Sequence, residues 1–406
     1  MAIRFKNNGD GTTADGAILA ANPDEFQEAL NYYSGDSGAG ASIKYIELEA
    51  DLDLNYSVTW YYRMTDIFNV NGIKADGNVT TKTVVNGNGH SITNIYVYPN
   101  CAIFGNIIGM SNTYNGNSTG ILELNDITFE AILQTGAGFF SHSRRQTWPS
   151  TPGYVRYITP ITNGCTFNVK VDNSMNNTGF DKLLPFDYRE TTYWEQKTVY
   201  PKAINCIFNI YIAAASNDDN HLFSASTLSG TDFGIMTIFE SCEFRIRNNT
   251  DKVMSIFKNT AAYGSDYRFL IDNCSFFLAD IKQYDDPSKR TTNFSSNVMH
   301  KLGTLTSFGY APNVGYPKCL FYNSFIAAFG DNFNSGSNDP IYVEGYSDDN
   351  NRYIFASSFY DKSKIKFCNY YEDIPLESTG FSALTTAQCK DKTTLSNIGY
   401  LFAEEV

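Results

Sequence analysis

Basic residues never gather into a block along this chain, whose formal net charge is −13. A phosphate-binding surface needs such a block, so nucleic acid is excluded as a main ligand. Histidine is scarce too, at four residues, and no CxxC or Cys/His spacing occurs, which leaves no metal motif and no cofactor to expect. No run of 18 apolar residues exists, so no helical membrane insertion is expected. The first residues, Met1 to Lys6, lack the apolar stretch of a signal peptide. Proline is sparse at 12 of 406 residues, and charged residues make up only 18%, below the roughly 25% of ordinary soluble domains. The chain is therefore not a disordered polyelectrolyte.

What is abundant is aromatic. Phe (30) and Tyr (28) bring the aromatic share to 15%, amid plentiful Asn and Gly. That mixture favours strands and tight turns over helices. One helix start stands out nonetheless, at Asn22-Pro23-Asp24-Glu25. Asn22 suits the cap, Pro23 the first helical position, and Glu25 can bond back. The helix is expected to run through Phe26, Ala29 and Leu30 to about Tyr33 and to cover one end of the fold. Beyond a Gly/Ser-rich stretch, Ile46, Leu48, Ala50, Leu52 and Leu54 alternate with acids, whereas Ile43 and Tyr45 have the opposite phase, which predicts a register slip at Tyr45-Ile46.

A repeat then emerges. A polar corner, Cys or Ile, one variable residue and Phe recur at Ile127-Thr128-Phe129, Cys165-Thr166-Phe167, Cys206-Ile207-Phe208, Cys242-Glu243-Phe244, Cys274-Ser275-Phe276 and Cys319-Leu320-Phe321. Cys and Phe two apart share a strand face. Stacked small thiols inside a core account for the cysteines without disulfides, as suits a reducing compartment. A second Phe series falls between these strands, at Phe104, Phe140, Phe186, Phe223, Phe257, Phe308 and Phe355. The first Phe series recurs at spacings of 32 to 45 residues, and repeats of about 20–50 residues mean stacked structural units. Asn-Gly does not recur at one place in each repeat, which argues against hairpin-built propeller blades. The reading is an all-β right-handed parallel β-helix, a solenoid with short capping helices. Residues 1–21 form an N-terminal arm or short strand, 22–84 the capping helix and first strands, 85–339 the coils, and 340–406 a C-terminal coil and cap. Thr385-Thr386-Ala387-Gln388 has the pattern of a capping box for a closing helix.

Val85-Asn86-Gly87-Asn88-Gly89-His90-Ser91-Ile92-Thr93-Asn94-Ile95 resembles the G-x-G-H-x-I-x-N segment of GLUG-type and pectin-lyase-like right-handed β-helix proteins. Ala102-Ile103-Phe104-Gly105, Leu122 to Phe129, and Leu384 to Gln388 resemble later elements of such modules. The likeness covers residues 22–140 and 381–400; between them only the ladder matches. Relatives of that kind are surface proteins of gut bacteria and virion proteins of their phages. The resemblance, with no leader in evidence, implies a phage fibre, spike or head-decoration protein on the virion surface. Its expected partners are other virion proteins, host cell-surface glycan or protein, and copies of itself, a trimer among the options. A bacterial surface adhesin and a polysaccharide-degrading enzyme are the alternatives.

Candidate contact residues follow from polar loops carrying exposed aromatics or cations. They are Trp60 (beside Tyr61-Tyr62), Arg144 and Arg145 with Trp148, and Trp194. An enzyme would need paired carboxylates, and Asp187/Glu190, Asp285/Asp286 and Asp348/Asp349 are available, each in a stretch read as loop. His90 in its Gly turn is read as a corner residue bonded to backbone rather than as a catalyst.

Overall fold

Asn22 begins the helix as its side chain dictates: it leaves helical geometry and accepts from the Glu25 N–H at 2.9 Å. Pro23 opens the helix, which spans Pro23–Asn31. Glu25 reaches back to the N–H of Ala21, one residue before the cap, at 2.9 Å. Arg4 bonds both Glu25 and Glu49, tying the N-terminal segment to the helix and to the residue just past the strand Ile43–Leu48.

The computed structural model describes residues 3–32, 43–55, 67–70, 81–98, 102–105, 119–134, 137–140, 157–172, 186–190, 202–213, 220–227, 237–248, 254–259, 267–280, 304–308, 318–322, 325–329, 342–345, 353–356, 358–361, 366–369, 381–385, 388, 391 and 393. Among these the protein is all-β with parallel sheets. Eleven strands form one sheet, ten a second, and shorter sheets of three and six strands complete a third set. From Ile43–Leu48 to Lys366–Asn369 the chain visits the first, second and third sets in unvarying order, and within each sheet a strand pairs with the one three places later, except that Ser358–Asp361 pairs with Phe381–Leu384 two places on. Parallel pairing spans residue 340, with Lys318–Tyr322 beside Tyr353–Ala356 and Phe325–Phe329 beside Ser358–Asp361, and continues to Ser358–Asp361 beside Phe381–Leu384. The N-terminal segment takes the strand option of the sequence reading: Ile18–Ala20 pairs parallel with Ile46–Leu48, and Arg4–Phe5 runs antiparallel to it.

The second sheet shows why the motif recurs. Phe129, Phe167, Phe208, Phe244 and Phe276 are direct partners on successive strands. All five are fully buried. Their rings stack at 5.3, 5.0, 4.8 and 4.5 Å, within 10° of parallel. Offset stacks of this kind add about 0.5–1.5 kcal/mol per pair beyond burial. Two residues before each Phe lies Ile127, Cys165, Cys206, Cys242 or Cys274, also buried. The four cysteines are free thiols. Each thiol donates to the carbonyl two residues earlier, at 3.2–3.6 Å. The hydrogen bond with Cys206, then burial, push the Cys165 thiol well up, and burial does the same to Cys242. Both are therefore neutral and inert.

The polar corner before each thiol has a backbone cause. Asp126, Gly164, Asn205, Ser241 and Asn273 all have φ between 52° and 64°. This left-handed region is costly for most residues, and Gly, Asn and Asp tolerate it best. The corner N–H groups continue the ladder by bonding carbonyls of the next strand, as from Asp126 to Asn163 and from Asn205 to Glu240, at 2.9 Å each.

Three expectations need correction. First, Cys319 and Phe321 stand outside these rows. Lys318–Tyr322 belongs to the first sheet, where Cys319 faces Phe269 and Phe321 faces Ile271, while Ile326 takes the position after Phe276. A Cys-x-Phe match in letters does not say which of three successive strands carries it. Second, the other Phe series divides. Phe68, Phe104 and Phe140 make one stacked row, at 5.7 and 5.9 Å, and Phe186, Phe223 and Phe257 pair in register. Phe257 then faces Thr306 rather than Phe308, and Phe355 pairs with Phe321 on the first sheet. Third, there is no register slip at Tyr45-Ile46. Lys44, Ile46 and Leu48 all point inward, so the interior phase is unbroken and carries a lysine.

Candidate binding surface

The predicted contact residues Trp60, Arg144, Arg145, Trp148 and Trp194 lie outside the described residues, as do Asp285/Asp286 and Asp348/Asp349. Asp187 and Glu190 fall on the strand Phe186–Glu190 rather than in a loop. His90 does occupy a tight corner: its N–H donates to the Gly87 carbonyl at 2.9 Å. Its ring, expected on backbone, instead meets the Asp51 carboxylate at 3.3 Å. The Ser91 N–H, followed by its side chain, holds Asp51 below the usual carboxylate range.

A shallow trough of about 330 Å³ lies on the outer face of the second sheet. Strand alternation builds it. Phe129, Ala131 and Leu133 point inward from Thr128–Gln134, so Glu130 and Ile132 point out. Register carries those positions along: Glu130, Asn168 and Asn209 form one outward row, and Ile132, Lys170 and Tyr211 the next. Neighbouring rungs lie about 4.8 Å apart. Asn94 closes one end. It sits at φ 55° where the pairing with Phe129 and Ala131 shifts by one residue, so Ile92 and Ile95 can both turn inward.

Polar groups in the trough are partly engaged. Asn209 donates its amide N–H to the Asn168 side-chain oxygen at 2.7 Å, Asn94 donates to Asp53 at 2.7 Å, and Lys170 pairs with Asp172 at 3.3 Å. The Asn168 amide nitrogen and the Asn209 carbonyl oxygen remain open among the described residues. One amide there can give and the other accept, as a hydroxyl-rich ligand requires. The trough lining contains one carboxylate, Glu130, whereas glycoside hydrolysis calls for two.

Sequence reasoning missed this surface because it searched loops and tryptophans. The signal was present in the outward positions of the repeat, where Asn168 and Asn209 follow their Phe directly. Among the described residues no group of three or more His, Cys, Asp or Glu could hold a metal ion, and no helix is long and apolar enough to cross a membrane. No protein-family model matches the chain, and comparison with curated proteins finds no match.

Proposed function

We propose that the chain winds as a right-handed parallel β-helix, capped at its N-terminal end by the helix Pro23–Asn31, and serves as a rigid adhesive rod. The observation that carries this is the in-register row Phe129, Phe167, Phe208, Phe244 and Phe276 within strands that visit three sheets in fixed order. A continuous winding wall stacks the same residue above itself at each turn. Parallel crossovers of this kind are right-handed in about 98% of cases. The likeness of Val85 to Ile95 to the GLUG-type segment supports the same reading. It also supports the narrower role, a fibre, spike or decoration protein of a phage virion that assembles as a homo-oligomer with other virion proteins.

The proposed partner is host-surface glycan, and the proposed contact surface is the trough with Asn168 and Asn209. Amides that both give and accept, beside the Tyr211 ring, match the alternating hydroxyls and apolar faces of sugars. Titration calorimetry of the full chain with purified host capsular or wall polysaccharide tests this. Replacing Asn168 and Asn209 together by Ala should weaken binding about tenfold or more with an unchanged melting temperature. Unaltered affinity would move the contact to another surface. Release of reducing or unsaturated ends from the polysaccharide would replace the adhesin by an enzyme. Electron-microscope images showing a compact particle instead of a rod would remove the β-helix reading itself.

A further inference from the structure

Lys44 occupies a position where the alternation of its strand calls for an apolar side chain. It is 6% exposed, in phase with the fully buried Ile46 and Leu48. Its Nζ donates to the carbonyls of Leu30 at 2.6 Å and Tyr32 at 3.1 Å. These belong to the C-terminal turn of the helix Pro23–Asn31 and the residue just past it. Such carbonyls have no partner within the helix, and no basic residue lies in that last turn. Lys44 therefore fastens the end of the helix to the strand Ile43–Leu48 from inside the fold.

The donor count matters here. An ammonium has three N–H donors and a neutral amine two. Two carbonyl acceptors meet Nζ among the described residues, as many as the N–H groups of a neutral amine and one fewer than those of an ammonium. Thr83, directly in register with Lys44 on the next strand, offers no relief: its buried hydroxyl has no hydrogen-bond partner. Nor does a counter-charge reach Nζ among the described residues. The helix carries Asp24, Glu25 and Glu28, the lysine's own strand Tyr45 and Glu47, and the next strand Lys82. Of these, Glu25 is engaged by Arg4, Glu47 by Lys6, and Lys82 by Glu123.

We propose that Lys44 is a proton-linked latch: seating the N-terminal helix on the first long strand expels a proton from this amine, so the cap tightens as pH rises. The electrostatics agree in direction, because burial alone brings Lys44 down from 10.5 to about 7. The undocked helix then holds the extra proton between those values. Docking is weakest and flat below about pH 7 and strengthens from there toward 10.5. The negative end of the helix dipole favours the cation and works against this; desolvation outweighs it.

Native-state hydrogen exchange of the full chain, followed by mass spectrometry on the peptide spanning residues 23–31, reads the opening of the cap directly. Corrected for intrinsic exchange, the opening constant should fall about tenfold per pH unit above 7 in the wild type. In Lys44→Met the slope should vanish. A wild-type opening constant that stays flat from pH 7 to 9, or a Lys44→Met variant that keeps the slope, overturns the latch. Should Lys44→Met fail to seat the helix at all, NMR titration of the Lys44 Nζ in the native chain decides: a midpoint near 7 supports the latch, and one above 10 overturns it.

Discussion

The Phe row of the second sheet and the N-terminal helix Pro23–Asn31, the proposed cap, both bury apolar side chains, yet they are held in opposite ways. In the row each ring meets copies of itself. Phe208 lies between Phe167 at 5.0 Å and Phe244 at 4.8 Å, and the same contact recurs one strand further along. At the cap no contact recurs. Phe26 stands edge-on to Phe68 at 4.9 Å, Arg4 bridges Glu25 and Glu49, and Lys44 holds the helix carbonyls. The row is redundant and its stability extends along the stack; the cap is a set of single fastenings whose loss stays local. A repeat solves the interior once and copies it, whereas an end must be solved individually.

The widest difference should appear on emptying one position of each kind. Phe244→Ala leaves a hole between two stacked rings and beside Phe239, and should cost about 3–5 kcal/mol. Denaturant titration followed by far-UV circular dichroism should show the loss across the main transition. Phe26→Ala removes a comparable ring, but its effect should concentrate in hydrogen exchange of residues 23–31. Asn115→Ala, outside the described residues and in a polar stretch of sequence, serves as the neutral control. Should Phe244→Ala and Asn115→Ala melt together, the stacked row does not support the fold.

A smaller effect tests the corner where the cap region passes into the rows. A Cβ on Gly87 would lie 2.2 Å from the Asp126 carbonyl oxygen and 2.3 Å from Ile127 Cγ1. Gly87→Ala should therefore cost about 1–3 kcal/mol through forced separation of two neighbouring corners. A melting curve unchanged from the wild type would mean that the corners are not in close contact.

How much of this could be read beforehand follows the same division. The Phe129-to-Phe276 row and its thiols were legible because a repeated contact writes itself repeatedly into the sequence. The Asn22 cap was legible because its chemistry is local. The capping box at the far end was too: the Thr385 N–H donates to Gln388 Oε1 at 2.8 Å, and the Gln388 N–H donates to Thr385 Oγ1 at 3.2 Å. The phase of Ile43 and Tyr45 suggested a slip that is not there, because the inward position between them is filled by Lys44, and an inward lysine makes sense only once the helix carbonyls are brought to it by tertiary packing. Cys319-Leu320-Phe321 falls on a different sheet from the one its letters suggest, because equivalent positions lie three strands apart and the lengths between them vary. The trough residues were overlooked because each lies on a different strand and only register unites them.

At the cap, Asn22→Ala removes the side-chain acceptor of the Glu25 N–H and should cost about 1 kcal/mol. If the cap is held by single fastenings, that loss should appear in the exchange of residues 23–31 while the main unfolding transition moves little. A shift of the whole transition would instead join the cap and the rows into one cooperative unit.

The smallest effect carries the opposite sign and belongs to the rows. Of the five corners from Asp126 to Asn273, four hold Asp, Gly or Asn; the fifth is Ser241, at φ 53°. Serine gains nothing from the left-handed region, while its Oγ accepts from Asn273 Nδ2 at 3.1 Å. Asparagine tolerates that backbone better and presents a side-chain oxygen of its own to the same amide. Ser241→Asn should therefore stabilise the chain by about 0.5 kcal/mol, read as a raised denaturant midpoint at constant slope. The neighbouring corner gives the control, since Asn205→Ser should lose a similar amount by the same reasoning. If both substitutions destabilise, the corners are not interchangeable, and the repeat copies its backbone without copying its side-chain energetics.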